Sequence, residues 1–292
     1  MVSSSTSPSV TPAVPSETVV LAQAGAENFP VASRLLPRAV RADLLAIYGF
    51  ARLTDDIGDE AAGNRLALLD WLEAELGRAV QGTATHPLLE RVGRTIAERQ
   101  LPLEPFRALI AANRQDQIVT HYETFDALVE YCMLSAAPVG RLVLGVLGAA
   151  TPERVAHSDD VCVALQLVEH LQDVGEDAAN GRVYLPAEVL GRAGCPEGDL
   201  HAASASPALR RVVAEVSGRA RGLLASGAPL CRTLPPRFRA AVGAFAAGGL
   251  AALDEIERRS YDVLAIRCRP RRGRVFRRWV ATAGPARRGE TA

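Results

Sequence analysis

Apolar residues recur along most of this chain at the three- and four-residue spacing of an amphipathic helix. Leu44, Leu45, Tyr48 and Ala51 occupy one such face and lead into an acidic cluster. Leu66, Leu69, Leu72 and Leu76 mark the next helix, and Phe106, Leu109 and Ile110 begin another. Phe125, Leu128, Tyr131, Cys132 and Ser135 share a face, and Val161, Leu165, Val168 and Leu171 run into a second acidic cluster. Val212, Val216, Leu223 and Leu224 outline a further helix, as do Val242, Phe245, Leu250 and Leu253. Breakers separate these runs at Gly63, His86-Pro87, Leu101-Pro102, Thr151-Pro152, Leu185-Pro186 and Pro235-Pro236. No stretch alternates with period two for long enough to predict a strand. The pattern predicts an all-α domain of roughly eight to eleven helices, at a typical length of about 11–12 residues each.

Composition agrees with packed helices. Of 292 residues, 48% are apolar and only 5% aromatic, a poor match to the aromatic and β-branched content of sheets. Thirty-three basic residues, all arginine, balance 33 acidic ones. No global field draws such a chain to nucleic acid or an anionic membrane, and no lysine offers Schiff-base chemistry. Five scattered cysteines without CxxC spacing read as reduced thiols, so a cytoplasmic protein is expected. No convincing signal peptide is present, and the longest apolar stretch, Ala240 to Leu253, is too short to span a bilayer. Residues 1–25, rich in Ser, Thr, Pro and Ala, read as a disordered tail. Residues 26–280 form the expected domain, and 281–292 a second disordered tail.

Chemistry concentrates in the acidic clusters. On a helix, positions four apart share a face, so Asp55 and Asp59 point one way and Asp56 and Glu60 form an adjacent row. Glu169, Asp173 and Asp177 repeat the spacing. Both clusters follow apolar runs that drive them toward the interior. Burying an uncompensated carboxylate costs several kcal/mol even after relaxation. A hard divalent cation is one remedy: Mg²⁺ takes one or two carboxylates plus phosphate oxygens. Two facing clusters could hold a diphosphate through about three such ions. Two bland readings compete: a solvated acidic face, or ion pairing to Arg52 and Arg182. The polar segment Asn113 to Asp116 reads as a solvated helix face, with a cavity-lining role as the alternative, and His170 as a packed or solvated residue.

The residues Tyr48 to Glu60, reading YGFARLTDDIGDE, resemble the first aspartate-rich motif of the squalene/phytoene synthase family. The residues Gln166 to Pro186, reading QLVEHLQDVGEDAANGRVYLP, resemble the second. The resemblance implies an isoprenoid synthase fold, with helices around a central cavity, and Mg²⁺-dependent ionisation of a prenyl diphosphate. By that match, Asp55, Asp59, Asp173 and Asp177 face the metal, with Asp56, Glu60 and Glu169 as further ligand candidates. Tyr48, Arg52, Tyr131, Gln166, Tyr184 and Tyr261 match catalytic positions. Arg52, Arg182, Arg274 and Arg278 match diphosphate-binding positions.

Within the family, Glu27 to Ser33 and Leu134 to Gly140 resemble the hopanoid-pathway hydroxysqualene synthase branch. That branch converts presqualene diphosphate to hydroxysqualene with loss of diphosphate and needs no NADPH. The alternative is condensation of two farnesyl or geranylgeranyl diphosphates to presqualene diphosphate, dehydrosqualene or phytoene. Glu169 stands where the motif often has Asn, and Gln172 where it often has Arg. The partners implied are the prenyl diphosphate, a presqualene diphosphate synthase and a hydroxysqualene oxidoreductase. Peripheral membrane contact is left open, because substrate and product are apolar.

Overall fold

A computed structural model describes residues 14–22, 36–265 and 275. Thirteen α-helices run in chain order among them. They are α1 Glu17–Ala22, α2 Arg38–Asp55, α3 Arg65–Val80, α4 Pro87–Arg99, α5 Glu104–Gln115 and α6 Phe125–Ser135. There follow α7 Ala137–Val146, α8 Pro152–Gln172, α9 Val174–Ala179, α10 Ala187–Ala193, α11 Pro207–Gly227, α12 Pro229–Thr233 and α13 Pro236–Arg258. A π-helical segment, Asp56–Glu60, continues α2, and a 3₁₀ turn, Glu197–His201, follows α10. Among the described residues the sole β feature is an isolated bridge between His121 and Val183. The all-α expectation holds. The helix number exceeds it because α1, α9, α10 and α12 have only 5 to 7 residues, too short to show periodicity.

The breakers act mainly as helix starts. Pro87, Pro152 and Pro236 each open a helix, where a missing N–H costs nothing and the fixed φ fits. Asn64, Thr124, Thr151 and Ser206 cap α3, α6, α8 and α11 by accepting a backbone N–H of the first turn. Gly63 takes φ +90° between the π-segment and α3, a conformation that favours glycine.

Two apolar cores result. One gathers residues of α2 to α5, α7 and α12, including Phe50 and Phe106, whose rings meet edge-on at 5.0 Å. The other is built on α6, α8, α11 and α13. The segment expected to be a disordered N-terminal tail contains a correction. Val20 of α1 is fully buried in the first core, and Glu17 pairs with Arg91 at 2.6 Å. A six-residue helix gains its stability from this docking, which composition does not reveal. Glu27 to Ser33, Cys268, Arg274, Arg278 and the C-terminal tail lie outside the described residues.

Candidate active site

A cavity of about 250 Å³ lies where the two cores meet, lined by Val161 of one and Leu144 and Leu230 of the other. One stripe of α8 forms a wall: Ser158, Val161, Cys162, Leu165, Gln166 and Glu169. At about 1.5 Å per residue the stripe is about 16 Å long. Val139, Gly140, Val143 and Leu144 of α7 face it, and Val242 and Phe245 of α13 contribute another side. Gly140 permits the close approach of α7 and α8: a Cβ there would lie 2.4 Å from Ser158 Oγ and 2.6 Å from Cys162 Sγ. Asp55 and Glu169 put carboxylates on the lining, so an apolar slot meets the acidic clusters.

The first cluster divides by partner. Arg52 Nε lies 2.7 Å from Asp56 Oδ1 and its Nη2 3.1 Å from Glu60. Asp56 is buried against this arginine and is not a lining residue of the cavity. Both carboxylates of this row, Asp56 and Glu60, are paired with Arg52. Asp55 instead lines the cavity and accepts a hydrogen bond from Asn113 Nδ2 at 3.1 Å. Asp55 is exposed, and the space it borders is the cavity. Loss of hydration raises its carboxyl to about 7 against the opposing effects of Asn113 and Arg52, and the nearby charge of Asp59 adds to the rise. The π-turn through Asp56–Glu60 packs Gly58 onto Asn113, where a Cβ would lie 2.0 Å from Asn113 Oδ1.

The second cluster is not one continuous stripe, as sequence spacing predicts. Helix α8 ends at Gln172, and Asp173 leaves helical geometry with φ −110° and ψ 12°. A new short helix, α9, then carries Asp177, whose N–H bonds the Asp173 carbonyl at 2.8 Å. The break separates Glu169, which lines the cavity, from Asp177 on α9. Desolvation and the charge of Asp173 raise Asp177 to about 7, against Arg182. Asp177 Oδ2 is buried without a hydrogen-bond partner among the described residues.

Arg182 joins the two clusters, its Nη1 standing 2.6 Å from Asp59 Oδ1. Asp59 also contributes to the shift of Asp177, so the motifs, far apart in sequence, lie within electrostatic reach. Tyr48 sits one turn before Arg52, half-buried and close enough to influence it.

Asp116 is the group that sequence reasoning missed. It accepts from Tyr131 OH at 2.7 Å and from Tyr184 OH at 3.1 Å. Tyr122, Tyr131 and Tyr184 form a cluster with ring centroids 5.3 to 5.8 Å apart. His170 stacks on Tyr184 at 3.9 Å, and Gln166 Nε2 approaches His170 Nε2 at 3.4 Å. Burial lowers His170 to about 3, keeping it neutral. Burial and the charge of Asp116 raise Tyr131 and Tyr184, which remain protonated donors. The expectation that Asn113 to Asp116 forms a solvated face fails at Asn113, which is buried, and at Asp116. A usable signal existed: Leu109 and Asn113 are four apart, so Asn113 continues the apolar face. Arg114 does point outward, to Asp70 and Glu73. Tyr261 follows α13 in a left-handed turn, φ 62°, and packs on the second core.

Among the described residues no group of three or more His, Cys, Asp or Glu forms a closed metal cage. The donor set nonetheless fits a hard divalent cation. Its ligand atoms are carboxylate oxygens, one of them an orphaned buried atom on Asp177, and Mg²⁺ binds by few carboxylates plus phosphate and water.

Fold and site together define a helical enzyme of prenyl diphosphates. The squalene/phytoene synthase family profile matches residues 22–276, and the chain belongs to that family. Enzymes of this family generally use a divalent metal. The chain is 41% identical over 209 residues to a hydroxysqualene synthase of Rhodopseudomonas palustris, covering 70% of each chain. It is 32% identical over 253 residues to a phytoene synthase of Arthrospira platensis, covering 82% of each. Its structure resembles that of squalene synthase HpnC from Alicyclobacillus acidocaldarius, with TM-score 0.78 and 42% identity, covering 84% of this chain and 94% of that one.

Proposed function

We propose that this protein converts presqualene diphosphate to hydroxysqualene, releasing diphosphate, in hopanoid biosynthesis. The observation that carries the reading is an apolar cavity bordered by Asp55 and Glu169, in a chain most of whose length aligns with hydroxysqualene synthases. Asp55, Asp59, Asp173 and Asp177 would hold Mg²⁺. That metal, when bound, neutralises the diphosphate as its carbon–oxygen bond ionises. Arg182, beside Asp59, and Arg52, beside Asp56, would bind further phosphate oxygens.

The chain's own residues shape the rest. Apolar walls from α7, α8 and α13 surround the slot in which the cation would rearrange before capture. Phe245 on the lining brings an aromatic ring to the slot where positive charge would develop. Neutral His170 adds no opposing charge. Tyr131 and Tyr184, tied to Asp116, hold their rings in fixed positions and keep their protons. The 26–280 domain contains all of this chemistry. The apolar window across Phe125–Val146 is divided between α6 and α7 and borders the cavity, so it is read as active-site wall. Contact with a membrane, if made, is peripheral.

The test is product analysis with purified protein and Mg²⁺. Presqualene diphosphate should yield hydroxysqualene and inorganic diphosphate, without NADPH. Consumption of farnesyl diphosphate alone, with presqualene diphosphate left untouched, would assign the condensing reaction instead, as the phytoene synthase relatives allow.

A further inference from the structure

The product alcohol needs one water inside a slot with mainly apolar walls, whose polar lining residues are Asp55, Ser135, Ser158, Cys162, Gln166 and, toward the acidic clusters, Glu169. Asp55 is engaged by Asn113, and the Ser158 hydroxyl by the Cys162 thiol. Ser135 differs. It lines the cavity at the end of α6, and its Oγ is buried without a hydrogen-bond partner among the described residues. A buried hydroxyl without a partner is costly, and one step between staggered χ1 wells redirects it.

Packing register places Gln166 opposite. Tyr131 of α6 faces His170 of α8, with ring centroids 6.1 Å apart. Further along, Gly140 of α7 touches Ser158 and Cys162 of α8. The helices therefore run antiparallel, and one turn on from Tyr131 pairs with one turn back from His170. That pair is Ser135 and Gln166, both on the cavity lining. Gln166 directs Nε2 toward His170, which leaves Oε1 as the amide's remaining group.

We propose that Ser135 and Gln166 together hold the water that captures the product cation, a role that rests on the hydroxysqualene-forming reading above. The water donates one O–H to Gln166 Oε1 and the other to Ser135 Oγ. An oxygen lone pair then faces the lumen. That pair forms the new C–O bond at the cationic carbon. One proton leaves the resulting oxonium for the released diphosphate, so charge and atoms balance without a further reactant. Without the held water, the cation loses a proton from carbon and yields an olefin.

Wild type, Ser135→Ala, Ser135→Thr and Ser135→Val would each receive presqualene diphosphate and Mg²⁺, and alcohol and olefin would be counted per diphosphate released. The alcohol share should fall about tenfold in Ser135→Ala and Ser135→Val, with olefin in its place, and stay near wild type in Ser135→Thr. Thr and Val have the same shape, so that pair decides even if Ser135→Ala does not fold. Alcohol shares within about twofold across all four proteins, each making hydroxysqualene, would overturn this inference alone. A wild type that makes no hydroxysqualene from presqualene diphosphate would overturn the functional reading and this inference with it.

Discussion

Glu75, in the core, and Asp55, on the cavity lining, are both carboxylates set among protein groups, and the protein treats them in opposite ways. Glu75 on α3 is fully buried. It accepts from the Thr85 N–H, from Thr85 Oγ1 at 3.0 Å, from the His86 N–H at 2.8 Å and from Arg78 Nε at 2.5 Å. Burial pushes its carboxyl up, but these donors outweigh that and hold it below the ordinary carboxylate range. Glu255 on α13 is similar: hydrogen bonds from Arg258 and Arg259 lower it to about 2. Asp55 has one amide donor and Asp177 an orphaned oxygen, and both are raised to about 7. Burial of acid is thus not itself the mark of the site. The mark is a shortage of donors, which leaves room for a metal and a diphosphate.

The largest expected effect lies in catalysis. Asp55→Asn should cut diphosphate release from presqualene diphosphate about a thousandfold, the equivalent of about 4 kcal/mol. Glu75→Ala should leave kcat unchanged and instead destabilise the fold by about 3 kcal/mol, because it strips a buried charge from its donors. Chemical denaturation and steady-state rates on both variants would show whether the two kinds of carboxylate separate cleanly. A smaller effect is expected at Asp116. Tyr184→Phe removes one of its two phenol bonds and should cost about 1 kcal/mol of stability and about tenfold or less in rate.

The pH dependence should separate the two kinds again. Glu255 is depressed in the folded state, so it stabilises above its ordinary value near 4.5, and that stability is lost as pH falls through about 2. Asp55 and Asp177 are raised, so the folded metal-free protein binds more protons than the unfolded chain between about 4 and about 7. Stability should therefore decline as pH rises through that window. Glu255→Gln should flatten the acid limb of a stability-against-pH curve, and Asp55→Asn the neutral limb. The smallest effect is expected from Gly58→Ala, whose Cβ displaces Asn113. It should weaken Mg²⁺ dependence of the rate several-fold without unfolding the protein.

How much of this was legible in the sequence follows the same physics. Helical periodicity and proline-opened starts predicted the all-α fold, because both are local. The acidic clusters were legible because apolar runs precede them. The pairing of Asp56 and Glu60 with Arg52 was less legible, because helical spacing does not contain the π-turn that carries them. The break at Asp173 hid for the same reason: Glu169, Asp173 and Asp177 keep a four-residue spacing across a helix that ends between them. Asp116 was illegible because its partners, Tyr131 and Tyr184, are 15 and 68 residues away. Helix α1 was illegible because its sequence resembles a tail and only Val20 is fully buried.

The central claim is that Asp55 is short of donors so that a metal–diphosphate pair can bind, and differential thermal unfolding at pH 8 addresses it directly. Wild type and Asp55→Asn would be melted without metal and again with Mg²⁺ and inorganic diphosphate. Asp55→Asn should melt above wild type when both are metal-free, and should lose most of the increase that Mg²⁺ and diphosphate give wild type. An Asp55→Asn protein that melts below wild type without metal, yet gains as much from Mg²⁺ and diphosphate, would contradict the account.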